Sequence, residues 1–209
     1  TGGGKGLIKA NYIALALCLW FNNIFSQSKC FQHLLSREIA VSLHFAHQNL
    51  YELATQVGVA LRTRNRMLAI AESCTGGWIS KAITDISGSS RWFDRGFVTY
   101  SNIAKGDMLR VSAATIARHG VVSAEAVAEM TMGVLEHSCA DVTLAVSGIA
   151  GPDGGSSDKP VGTICLAWAL REGPIRTERR HFPGNRDEIR SASVAAALQG
   201  VLDAFAPHY

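Results

Sequence analysis

Along residues 50–206, short runs of wholly apolar residues alternate with stretches in which apolar positions recur every three or four residues. Leu50, Leu53, Ala54, Val57 and Leu61 fall at helical spacing and predict a helix over residues 50–61. Residues 67–71 (MLAIA) are apolar at every position, the pattern of a strand buried on both faces, and residues 142–146 (VTLAV) read as another buried strand. Residues 95–100 (RGFVTY), 161–169 and 176–182 also read as strands, the last two joined by a turn at Glu172-Gly173-Pro174. Residues 76–84 open a helix, and residues 123–136 form another that starts on Ser123. A long last helix, capped by Asn185, covers residues 185–205. Strands and helices in alternation predict an α/β domain.

Residues 1–49 break this pattern. They hold few acids, several Asn, Gln and His, and no clear period. The sequence opens Thr1-Gly2-Gly3-Gly4 without Met, and residues 12–21 (YIALALCLWF) form an apolar run behind Lys5 and Lys9. As a helix that run spans ~15 Å, against ~30 Å for a bilayer core, so no membrane partner is expected. A basic start and a short apolar run also outline a signal peptide, but the following NNIFSQSKC offers no small-x-small cleavage site. The expected division is a non-native or poorly ordered extension over 1–49 and a folded domain over 50–209.

The net charge of +3 comes from dispersed Lys and Arg, which argues against a nucleic-acid partner. The cysteines, Cys18, Cys30, Cys74, Cys139 and Cys165, are odd in number and include no CxxC pair. Neither a zinc knuckle nor a disulfide framework fits, and no metal is expected. Reduced thiols suit a cytoplasmic protein.

Two predicted strands lead into glycine-rich loops, Glu72-Ser73-Cys74-Thr75-Gly76-Gly77 and Ser147-Gly148-Ile149-Ala150-Gly151-Pro152. Ligands of open α/β sheets sit at such carboxyl ends. In the first loop Gly76 and Gly77 permit close backbone approach, and the following helix start favours a phosphate or an oxyanion. Ser73 and Thr75 add hydroxyls there. The plain alternative is a strand–turn–helix junction with Thr75 as N-cap, since the loop matches neither G-x-S-x-G nor the Walker pattern. Lys105 follows Tyr100 by five residues. A serine nucleophile needs a base, and a lysine serves when burial or a positive neighbour lowers its pKa. Tyr100 would relay a proton or orient the lysine; otherwise Lys105 is a solvated helix-face lysine. Around Ala150, Gly148 and Gly151 either expose N–H groups in the manner of an anion nest or belong to a plain β-loop.

Cys74 is a rival nucleophile at the same helix start, but His119, His137 and His181 are scattered and give it no partner. Arg91, Arg95 and Arg186 are candidates for a phosphate, Arg186 foremost. Asn102 either meets an amide or ends a strand. Trp92 and Phe93 either stack on a ring or pack in the core.

AESCTGG (71–77), GSSRWFDRGFVTYSN-x-x-K (88–105), HGVVSAEAV (119–127), SGIAGPDGG with KPVGT (147–163) and FPGNR (182–186) together resemble the CinA C-terminal domain family. The resemblance covers about residues 50–206. It implies a three-layer α/β/α sandwich with a mixed, mostly parallel central sheet. For the stand-alone bacterial members, the nicotinamide-nucleotide amidases, it implies hydrolysis of the amide of nicotinamide mononucleotide (NMN) to nicotinate mononucleotide and ammonia in pyridine nucleotide recycling. It further implies no cofactor and a serine–lysine mechanism. Carried across, Ser73 is the nucleophile, Lys105 the base and Tyr100 the assisting group. Thr75, Gly76, Gly77, Asn102, Gly148, Ala150, Gly151 and Arg186 become the expected substrate contacts. A homodimer is expected, although the apolar stripe of residues 123–136 would serve the sheet as well as a second subunit. Two other functions stay open: a nucleotide-binding regulatory module in which Lys105 is dispensable, and an interaction protein of DNA uptake or repair, which the dispersed charge disfavours.

Overall fold

The computed structural model describes residues 49–205; the predicted extension, with its apolar run at 12–21, lies outside the described residues apart from residue 49. The chain runs α1 (residues 49–63), β1 (Leu68–Glu72), α2 (Trp78–Thr84), β2 (Phe93–Val98), α3 (Asn102–Leu109), α4 (Ala113–His119), α5 (Ala124–Glu136), β3 (Val142–Gly148), β4 (Thr163–Leu170), β5 (Ile175–His181) and α6 (Arg186–Asp203). The strands form one sheet in the order β2-β1-β3-β4-β5. β1 pairs in parallel with both β2 and β3, and β4 and β5 add antiparallel.

Strand chemistry follows position in the sheet. β1, β3 and β4 are buried almost throughout, as their mainly apolar runs predict. β2 and β5 lie at the edges, and their burial is partial and interrupted. Charged Arg176, Glu178 and Arg180 on β5 blunt its free edge.

The two sheet faces differ in bulk, and the difference sets the layers. Leu68, Ile70, Leu144, Val146, Leu166 and Trp168 point to one face and pack with α1, α2 and α6. Ala69, Ala71, Ala145, Cys165 and Ala167 point to the other, where these small side chains let α5 and Leu109 of α3 come close. The result is the three-layer α/β/α sandwich. Ala126, Val127, Met130 and Val134 of α5 are all buried, so its apolar stripe is used on the sheet.

Several boundaries move for physical reasons. β1 begins at Leu68 because the Met67 N–H donates to the Asp141 carboxylate, 2.9 Å away. α2 begins at Trp78, because Gly76 and Gly77 both take left-handed backbone, at φ 59° and 93°. The last helix starts as predicted on Asn185, which forms a full capping box with Glu188. α3 and α4 have no counterpart among the predicted elements; Ser101 and Ser112 cap them, and α4 buries no residue.

Gly133 fixes the distance between α5 and α3. A Cβ there would overlap the Leu109 carbonyl, which is backbone and cannot turn aside. Alanine usually favours a helix over glycine by up to ~1 kcal/mol. Here overpacking, typically about 1–3 kcal/mol, opposes and outweighs that gain. Gly133→Ala is expected to lower the melting temperature by several degrees, measured by thermal denaturation.

Candidate active site

The carboxyl end of β1 is organised by Glu72. Its carboxylate is fully buried and accepts from Thr75 Oγ1 (2.7 Å), the N–H groups of Gly77 (3.0 Å), Ile79 (3.0 Å) and Ser80 (2.8 Å), and Ser80 Oγ (2.8 Å). The donors at the start of α2 are therefore taken by the chain's own anion. This corrects the expectation that they would receive an external phosphate or oxyanion. The loop is held from the other side by Arg190 of α6, which donates to the carbonyls of Cys74 (3.1 Å) and Thr75 (2.8 Å). Ser73 itself is anchored by its N–H, which donates to Val146 of β3 at 3.1 Å.

Lys105 reaches this serine from α3. The chain leaves β2 with the Thr99 N–H donating to the Glu72 carbonyl (2.8 Å), and Ser101 then caps the helix by accepting from Ala104 N–H (3.1 Å). One turn later Lys105 is only 1% exposed, far from the solvated face that a lysine ordinarily occupies. Its Nζ lies 3.0 Å from Ser73 Oγ and donates to the Thr99 carbonyl at 2.8 Å. No carboxylate forms an ion pair with it among the described residues. Burial pushes its pKa below the usual 10.5 and outweighs the opposing effect of the neighbouring Cys74. Desolvation thus favours the neutral amine, the form that can take a proton.

Cys74 moves the opposite way. Burial raises its thiol from 9.0 to about 12; its own backbone N–H lowers it and the Glu72 charge raises it further. At neutral pH it is a thiol, not a thiolate. The helix start expected to activate it is filled by Glu72.

A cavity of about 220 Å³ opens beside the pair. Ser73, Lys105 and Ser147, all buried, form its inner part. Gly148 and Ala150 of the second glycine-rich loop and Val121 and Val122 before α5 also line it. Exposed Tyr100, Asn102 and Arg186 stand at its rim. Arg186 donates to the Gly151 carbonyl (2.8 Å) and to Tyr100 Oη (3.0 Å). The Tyr100 hydroxyl is thus engaged by a guanidinium, not by Lys105 as expected.

The remaining predicted residues divide clearly. Thr75 is fully buried with its hydroxyl turned to Glu72, and neither it nor Gly76, Gly77 or Gly151 lines the cavity. Arg95 is held by Asp94 and the His137 carbonyl, and neither Arg91 nor Arg95 reaches the wall. Trp92 is a core residue against Gly58, and Phe93 packs on the same core. Glu72, Arg190 and Ser147 were not among the expected site residues. An acid just before a helix start is the one sequence signal that points to Glu72.

A buried serine–lysine pair at the carboxyl edge of a mixed sheet, with Arg186 at the rim of the cavity beside it, defines an α/β protein with an enclosed site. The chain belongs to the CinA C-terminal domain family, whose model matches residues 50–205. A nicotinamide-nucleotide amidohydrolase PncC of Enterobacter agglomerans is 49% identical over 160 residues, covering 77% of this chain and 98% of that protein. The protein of the same name from Escherichia coli K12 is 52% identical over 156 residues, covering 75% and 94%. Among solved structures, a competence/damage inducible protein of Agrobacterium tumefaciens aligns with a TM-score of 0.72 at 44% identity, covering 74% of this chain and 94% of that one.

Proposed function

We propose that this chain hydrolyses the carboxamide of NMN, giving nicotinate mononucleotide and ammonia. The observation that carries the reading is the 3.0 Å approach of a buried, pKa-lowered Lys105 to Ser73, in a chain about half identical to proteins named for this reaction. Neutral Lys105 accepts the Ser73 proton as Oγ attacks the carboxamide carbon. The C–N bond breaks, and the lysine ammonium passes its proton to the departing nitrogen. Lys105 then takes a proton from water, the resulting hydroxide attacks the acyl carbon, and Ser73 leaves reprotonated. The oxyanion is received by the N–H groups of Cys74 and Ala150, two cavity-lining residues whose N–H groups donate to no backbone carbonyl among the described residues. Preorganised donors of this kind are each worth ~3 kcal/mol to a transition state.

The cavity is smaller than the ~300 Å³ at which whole-ligand pockets begin, so it holds the amide-bearing ring and leaves the phosphate outside. Arg186 and Tyr100 stand at that mouth, and a phosphate there receives charge-assisted hydrogen bonds. A cytoplasmic location and a homodimer belong to the same proposal. Free thiols at Cys74, Cys139 and Cys165 suit a reducing compartment.

The test is ammonia release from NMN, with the riboside lacking phosphate in parallel. Arg186→Gln is expected to raise KM for the mononucleotide about 10- to 100-fold, the worth of a charged hydrogen bond, and to leave the riboside unchanged. Tight binding of the mononucleotide by the unaltered protein without ammonia release would instead favour a regulatory module.

A further inference from the structure

Ser147 lies on β3, one residue beyond the carbonyl that receives the Ser73 N–H. Strand alternation sets Val146 on the α2 and α6 face and Ala145 on the α5 face, so Ser147 shares the side of Ala145. Ser73 comes to the same side, one residue after Glu72 turns its carboxylate to α2. Ser147 is only 1% exposed and lines the same cavity as Ser73 and Lys105. Yet its Oγ has no hydrogen-bond partner among the described residues. A buried hydroxyl is seldom left so, because its desolvation goes uncompensated. Comparable buried hydroxyls are satisfied within their helices: Thr131 donates to Val127 and Ser193 to Ile189. Thr143, the other buried hydroxyl without a partner among the described residues, sits further back in β3 and does not line the cavity.

A primary carboxamide brings one acceptor and two N–H donors. The acceptor has the Cys74 and Ala150 N–H groups. The donors need an acceptor, and the Thr99 carbonyl beside the pair is already taken by Lys105. We infer that Ser147 Oγ is that acceptor: it binds an N–H of the scissile carboxamide and so turns the carbonyl oxygen toward its donors. Ser147 is then a substrate-binding residue for the amide end, as Arg186 is for the phosphate end. The inference rests on the amidase reading.

The experiment compares wild type, Ser147→Ala and Ser147→Thr for ammonia release from NMN and for thermal unfolding without ligand. Ser147→Ala is expected to lower kcat/KM about 10- to 100-fold, the worth of a lost hydrogen bond in a closed site. Its melting temperature should stay level or rise, because the change removes an unsatisfied buried polar atom. Ser147→Thr keeps the hydroxyl and should recover most of the activity. Wild-type turnover in Ser147→Ala overturns the inference alone, as does a loss of activity that tracks a fall in melting temperature. A threonine variant as poor as the alanine one does the same. Absence of ammonia release from wild type overturns the amidase reading and this inference together.

Discussion

Ser73→Ala is expected to cut ammonia release at least about 1000-fold, since the residual rate left to donors and binding alone is small once a nucleophile is gone. The melting temperature should barely change. The Ser73 side chain has Lys105 as its partner, while the loop around it is fixed by Glu72, Arg190 and the Val146 carbonyl. The decisive companion is Cys74→Ala. A thiol raised to about 12 supplies almost no thiolate at neutral pH, so this variant should keep its rate within a few-fold. If the cysteine variant loses turnover while the serine variant keeps it, the assignment of the nucleophile is reversed.

Removing the amine gives the second large effect. Lys105→Met preserves length and apolar bulk but takes away the base, and general-base contributions are typically about 100- to 10,000-fold. A drop of that size in kcat is expected. The unaltered enzyme should show kcat/KM rising with pH as Lys105 loses its proton, then a plateau reached below 10.5, because burial lowers its pKa. Stability carries the matching sign. The fold disfavours the ammonium, so below the folded pKa the cost is fully present, and it is relieved as pH rises from that value toward 10.5. The stability of wild type relative to Lys105→Met should therefore increase across that window, as followed by denaturant unfolding. A rate that falls as the solution becomes more basic through this range would remove Lys105 from the role of base.

The sheet was legible because its central strands are apolar at nearly every position, a pattern that helices on both faces require. Asn185 was legible because a cap followed by Glu188 is local chemistry. The Ser73–Lys105 pair was reachable only through motif order, since a lysine counts as polar in any pattern and nothing local shows that α3 turns it inward. Glu72 is not legible in the sequence because a carboxylate beside a loop faces solvent as readily as it curls onto the next helix. Ser147 escaped because a serine ending an apolar run looks like the end of a strand. Arg186 was singled out, but its hydrogen bond to Tyr100 joins residues 86 apart, a relation no window of sequence displays.

The Glu72 carboxylate bears on timing as well as architecture. Dipoles that must swing into place during a reaction add their reorganisation to its barrier. At the start of α2 the backbone dipoles are already aligned on the Glu72 carboxylate, a partner that arrives with folding. The loop carrying Ser73 is therefore braced by the chain itself before a ligand enters.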